Sequence, residues 1–385
     1  MKKRWIAMLL LCCMALSGCS IWTDGIYVSA TPHQENDAVS LPRDISASNF
    51  WELRQALENY VEIGAETGIV FVPHYDQAKI ETDIDRVISR VMTEDPIASY
   101  AVESVEYEIG TNSGMPAIAL EISYIHDASD IRRIMRVNDL NAAKDLIITE
   151  LNEYSSGIVM LITAYQDTDF AQFVEDYATE HPEIVMELPE VKVNAYPDFD
   201  TYERVIEIKF TYQTNRGSLR SMKNQVRPIF DSAVLYVSGD GESREKYAQL
   251  YSFLTERFDY LEETSITPTY SLLRHGVGDC KAFATVYATM CRMAELECLT
   301  VSGTRDGEPW YWNIVWEDGV YRHVDLFRCM ENGAYEGKAD EDMEGYVWDF
   351  SRFPACEKVE PEDPESVDTT ETTEETAPET TSAAE

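Results

Sequence analysis

The residues best suited to chemistry lie in the last third of a 385-residue chain. Gly278-Asp279-Cys280-Lys281 stands just before a run in which Phe283, Val286, Tyr287, Met290, Cys291 and Ala294 recur at helical spacing, forming one apolar face of an α-helix. Cys280 is therefore expected in the first helical turn, behind glycines that permit a tight entry. A thiol there meets the positive end of the helix dipole and unpaired backbone N–H groups. Both favour the thiolate, and the N–H groups also suit an oxyanion. Cys291 lies deep on the apolar stripe and reads as a packed core residue.

A thiol nucleophile needs a base within hydrogen-bond reach, and that base must later protonate the leaving amine. Three strands are expected after the helix, at 299–304, 310–317 and 320–327, with Asp318-Gly319 as a two-residue hairpin turn. Counting outward from the turn, Glu317 faces Val320, Ile314 faces His323, Trp312 faces Asp325 and Trp310 faces Phe327. Trp310 and Asp325 become diagonal neighbours on one face. His323 shares that face but sits four residues along the sheet from the partner of Trp310, roughly 13 Å away at about 3.3 Å per residue. His275 lies on the loop before Cys280, with nothing to position it.

Together these features resemble the transglutaminase-like superfamily over about 247–353: the Gly-x-Cys helix start, a glycine-containing strand, Trp312-Asn313 followed by Ile314-Val315, the Asp-Gly hairpin and Tyr321-x-His323-Val324-Asp325. The resemblance implies a papain-like fold and a Cys-His-Asp triad. It puts the nucleophile on Cys280 and the orienting acid on Asp325, and Trp312 and Asn313 match the Trp-Asn of the family's His-Ala-Trp-Asn. The histidine of that motif falls on Trp310. An indole N–H donates a hydrogen bond but cannot take a proton, and assisted proton transfer contributes about 10² to 10⁴ in rate. The expectation is a degenerate domain that keeps the fold and binds a peptide, cell-wall or protein ligand on a face carrying Trp310, Trp312, Asn313 and Trp316. The alternative is an active cysteine-dependent transglutaminase or peptidase that uses Cys280 and Asp325 with a non-standard base, His323 or His275.

The rest of the chain must place this domain. Lys2-Lys3-Arg4, an apolar run from Trp5 to Leu16 and Leu16-Ser17-Gly18-Cys19 resemble the signal peptide and lipobox of bacterial lipoproteins. This implies cleavage after Gly18, a lipid on the Cys19 thiol, and a location at the outer face of the cell membrane. An ordinary secretory peptide or a single membrane helix is the alternative, though the apolar run is shorter than the roughly 20 residues that span a bilayer. A net charge of −39 opposes binding to nucleic acid. No metal-ligand spacing or nucleotide motif is evident, so no metal or cofactor is expected. Beyond Cys12, Cys13 and Cys19 there are five cysteines, an odd number that leaves at least one thiol unpaired or bonded between chains. Cys291, Cys298, Cys329 and Cys356 are candidates for a disulfide whose pairing the sequence does not choose.

The fold class expected is α+β, with duplicated small units ahead of the transglutaminase-like domain. Gly68-Ile69-Val70-Phe71 answers Gly157-Ile158-Val159-Met160, Thr93-Glu94-Asp95-Pro96 answers Thr179-Glu180-His181-Pro182, and Leu120-Glu121-Ile122 answers Ile206-Glu207-Ile208, at offsets of 86 to 89. The division is a signal peptide at 1–18, a tether at 19–48, α+β copies at 49–137 and 138–235, the catalytic-type domain at 236–356, and a Thr/Glu tail at 357–385. That tail is too poor in apolar residues to bury a core.

Overall fold

The computed structural model describes residues 45–237 and 239–358. The stretch read as a signal peptide, Cys19, most of the stretch read as a tether and nearly all of the Thr/Glu tail lie outside them. None of the described helices is long and apolar enough to cross a membrane. The chain divides into two compact units, one formed by residues up to 88 with 104–123, the other by 89–103 with 124 onward.

The first unit holds β1 (Ile45–Ser46), α1 (Phe50–Glu62), β2 (Thr67–Phe71) and the start of α2 (Ile80–Glu94). After α3 (Pro96–Ala101), which belongs to the second unit, come β3 (Val102–Asn112) and β4 (Met115–Tyr124). Asn49 starts α1 by accepting the backbone N–H groups of Trp51 and Glu52, and Leu53, Ala56, Leu57, Tyr60 and Val61 form its buried stripe. The sheet order is β1-β2-β4-β3, with β1 parallel and β4 antiparallel to β2. β1 falls inside the stretch read as a tether, so the fold begins a few residues earlier than expected.

After α3, the second unit continues with α4 (Ala128–Arg132), β5 (Met135–Val137), α5 (Leu140–Asn152), β6 (Gly157–Ile162), α6 (Phe170–Glu180), β7 (Glu190–Tyr196) and β8 (Arg204–Thr211). Its sheet order, β5-β6-β8-β7, repeats that of the first, again with one parallel pair followed by an antiparallel one. The matching tetrapeptides are out of phase, however. Ile69 is 38% exposed on β2, whereas Ile158 is 9% exposed on β6. Because strand side chains alternate between faces, a one-residue offset puts equivalent letters on opposite sides.

Then follow α7 (Arg216–Tyr236), α8 (Ser243–Thr255), β9 (Asp259–Tyr260), a helical turn over 268–275, β10 (Val277–Gly278), α9 (Cys280–Met293), β11 (Cys298–Arg305), β12 (Glu308–Glu317), β13 (Val320–Val324), α10 (Leu326–Asn332) and β14 (Tyr346–Trp348). The sheet order is β13-β12-β11-β14. Phe283, Val286, Tyr287, Met290 and Cys291 of α9 enter one core with Val226 and Phe230 of α7, Leu250 and Leu254 of α8, and Val315 of β12. The other face of this sheet buries Val301, Trp312, Ile314, Tyr346, Trp348 and Cys356. The hairpin at Asp318-Gly319 pairs Glu317 with Val320 and Ile314 with His323, the register counted from the sequence. The third strand is shorter than expected. It stops at Val324 because the Asp325 carboxylate accepts the N–H groups of Phe327 and Arg328 and starts α10 there, so Asp325 and Phe327 are not cross-strand partners of Trp312 and Trp310.

Gly303 pairs with Trp348 where β11 meets β14, and a Cβ at this position would run into the Val347 carbonyl oxygen and the Trp312 ring. Gly303→Ala is expected to lower stability by about 1–3 kcal/mol, the usual cost of overpacking. The change should appear as a lower urea midpoint at unchanged slope. An unshifted midpoint would show that the two strands can separate freely.

Candidate functional site

Cys280 is positioned from two sides. Gly276 takes a left-handed conformation (φ 84) after the helical turn, and β10 then pairs with β9 through Gly278 and Tyr260. Asp279 caps α9, its carboxylate accepting the N–H of Ala282 at 2.8 Å and the Thr264 hydroxyl at 2.7 Å. Cys280 is thus the first helical residue, as the spacing predicts, and it is 9% exposed. Asn313 ties the helix to the sheet by donating to the Ala284 carbonyl at 2.9 Å.

Burial pushes the pKa of the Cys280 thiol up to about 11, and the Asp279 and Asp325 charges add to the effect. Backbone N–H groups of Tyr311 and Lys281 pull the other way but are outweighed. This direction runs against the thiolate that the helix start favours: the N–H groups are present, but desolvation of the sulfur acts the other way. Tyr260, Phe283, Trp310 and Phe327 form a connected set of aromatic contacts in this region, with ring centroids 4.5 to 6.2 Å apart.

Asp325 lies at the centre of the polar network. Its Oδ1 caps α10. Its Oδ2 accepts the Trp310 Nε1–H at 2.9 Å and the Tyr346 hydroxyl at 2.6 Å, with the Arg305 guanidinium at 3.5 Å. Arg305 also lies 5.3 Å from the Trp310 ring centroid and pairs with Glu331 at 2.9 Å. The indole thus occupies the carboxylate as an orienting histidine would, while offering the sulfur no lone pair. Sequence reasoning placed Trp310 within reach of Asp325 but missed Tyr346 and Arg305, because nothing short-range links 305 and 346 to 325.

Of the two substitute bases, His323 lies away from the sulfur. His323 is 1% exposed and faces Trp348, on the face that carries Trp312 and Ile314, with Trp310 packed against it, and away from α9. Its Nδ1 accepts the Trp312 Nε1–H at 2.9 Å and its Nε2 meets Asp340 Oδ1 at 2.8 Å. Indole is donor-only, so Nδ1 must be the acceptor and Nε2 carries the proton given to Asp340. His275 packs against the Tyr270 ring at 5.2 Å. The ligating atoms of His323, Asp340 and Cys356 come within 4.8 Å of one another. The proton fixed on Nε2 makes this group a hydrogen-bond chain, poorly suited to a metal ion. Trp312 and Asn313, expected on a ligand face, are 1% and 0% exposed, so they serve the interior and only Trp316, at 42%, reaches solvent freely.

Residues 232–328 match the family model of the transglutaminase-like superfamily, and this part of the chain is a transglutaminase-like domain. Among solved structures, similar chains include a TGase (10% identity, TM-score 0.25, covering 57% of this chain and 63% of that one) and a candidate protease from Parabacteroides distasonis (9%, 0.22, 57% and 35%). A third is a candidate cysteine protease from Cytophaga hutchinsonii (10%, 0.23, 41% and 70%). The chain therefore spans less than two thirds of the first two. No curated protein matches it.

Labelling of Cys280 by a thiol-directed electrophile, followed by peptide mass spectrometry, is expected to keep rising beyond pH 9. An inflection below the free-thiol pKa of about 8.5 would mean an activated sulfur. His323 yields a second prediction. Burial lowers its pKa despite Asp340, so as pH falls through the ordinary value near 6.5 the unfolded chain binds the proton first and folding stability is lost. Between pH 7.5 and 5 the wild type should lose more Tm than His323→Gln, whose amide can keep both hydrogen bonds. Parallel curves would remove His323 from the balance.

Proposed function

We propose that this chain is an exported lipoprotein, held at the outer face of the cell membrane through Cys19, whose transglutaminase-like domain has lost its proton relay and acts in binding. The observation that carries this reading is the Trp310 Nε1–H bond to Asp325 at 2.9 Å beside a thiol that burial keeps protonated. A Cys-type acyl transfer needs a group that takes the sulfur's proton and returns it to the leaving amine. Indole does neither, and His323 is occupied at both nitrogens.

The N-terminal region is read as two copies of one α+β unit, supported by the common strand order of the two sheets. In the second compact unit, α3 lies over the sheet with Tyr100 against Tyr196, ring centroids 5.4 Å apart. In the first, a groove of about 790 Å³ runs over Ile69, Ala119 and the Tyr60 ring between Glu106, Glu108 and Glu121. An open, partly apolar face of this kind supports a ligand-binding role for the first copy, with a peptide, cell-wall or protein ligand as the class.

Incubating the purified protein with a primary amine donor and a glutamine-containing peptide is expected to give no Cys280-dependent product, whether transamidated or hydrolysed. Turnover abolished by Cys280→Ala would instead establish an active thiol enzyme and end the proposal.

A further inference from the structure

The two α+β sheets share a strand order but not a covering. Gly68 of β2 lies under the Tyr60 ring of α1, so the face of the first sheet that carries Gly68 and the buried Val70, Ile118 and Leu120 looks toward the helices. Strand side chains alternate between faces, and the register sets Thr67 beside Glu121 and Ile69 beside Ala119 on the opposite one. All four are exposed, as are Glu106 and Glu108 of β3, and the groove of about 790 Å³ runs across them.

In the second sheet the corresponding face is covered. Its register sets Leu161 beside Val205 and Val159 beside Glu207, with Tyr196 and Asn194 next to them on β7. Leu161, Val205 and Glu207 are buried where α3 packs on β7 and β8, and Ile97 and Tyr100 of α3 are buried with them. The carboxylate on this face also has a countercharge: Glu207 pairs with Lys209 at 2.8 Å and accepts the Asn194 amide at 2.8 Å. A face of this kind thus takes a short apolar segment bearing an aromatic ring, and a cation for its glutamate. The first sheet has neither. Ile69 and Ala119 stay exposed, and among the described residues no ion pair reaches Glu106, Glu108 or Glu121.

We infer that the outer face of the first sheet docks a basic amphipathic segment of a partner protein. An apolar or aromatic side chain of that segment lies over Ile69 and Ala119, and its lysine or arginine side chains meet Glu106, Glu108 and Glu121. The inference rests on the reading of this groove as a binding face and adds the chemistry of its ligand. Carboxylates grouped without a cation repel one another, and a bound cation removes that repulsion as Lys209 does for Glu207. A second copy of this chain fits poorly, because a net charge of −39 brings like charges together.

The probe is the fluorescent peptide acetyl-KPIASYAKK-amide, which carries the residues of Pro96–Ala101 between lysines, titrated into the full chain and followed by anisotropy. Saturable binding that weakens with added salt is expected. Replacing the carboxylates together, Glu106→Gln with Glu108→Gln and Glu121→Gln, should weaken binding about tenfold, the sum of partly exposed ion pairs. Ile69→Arg should abolish it by covering the apolar strip and supplying a cation from within. These positions are exposed, so thermal melting should show every variant folded. A peptide with glutamine for each lysine that binds equally well, and is still lost in Ile69→Arg, would overturn the inference while leaving the groove a binding face. Failure of both peptides to bind would end both readings. Binding that appears only once residues 20–43 are removed, or that self-association of the chain displaces, would assign the face to the chain itself and overturn the inference too.

Discussion

A carboxylate with 5% exposure must be surrounded by donors, and Asp325 satisfies that need with the N–H groups of Phe327 and Arg328, the Trp310 indole, the Tyr346 hydroxyl and Arg305. These groups come from β11, β12, α10 and β14. Fixing one oxygen pair therefore fixes the end of the hairpin, the start of a helix and the edge of the sheet at once. The indole takes part as a structural donor, so the network is complete without an imidazole.

The sulfur responds to the same surroundings. A helix N-terminus stabilises a thiolate by a fraction of a kcal/mol to about 2 kcal/mol, and the gain is cancelled when the thiol is packed among aromatic rings and two carboxylates lie nearby. A neighbouring imidazolium would ordinarily provide the compensating charge. Without one, burial decides the protonation state.

Much of this was legible in the residues. The 3.6-residue recurrence of Phe283, Val286, Tyr287 and Met290 gave α9 and its buried face, and Asp318-Gly319 gave the register of β12 and β13. A second such pair, Asp306-Gly307, with both residues in the left-handed region, carries the same signal for the β11–β12 turn. What could not be read were effects settled by tertiary packing. The alternation of β13 continues in the letters through Phe327, yet the Asp325 cap breaks the strand. The protonation state of Cys280 depends on contacts far apart in the chain. The face on which His323 lies followed from the register, but which face looks toward α9 did not.

Asp325 is both the acid of a catalytic-type constellation and the first cap of a helix on which a sheet edge depends. The two duties fall on the same atoms, so relaxing one does not free the residue to vary. Selection for a folded domain alone would preserve this aspartate long after any need for acyl transfer had gone, and its presence in a sequence is poor testimony that a relative of this domain is active.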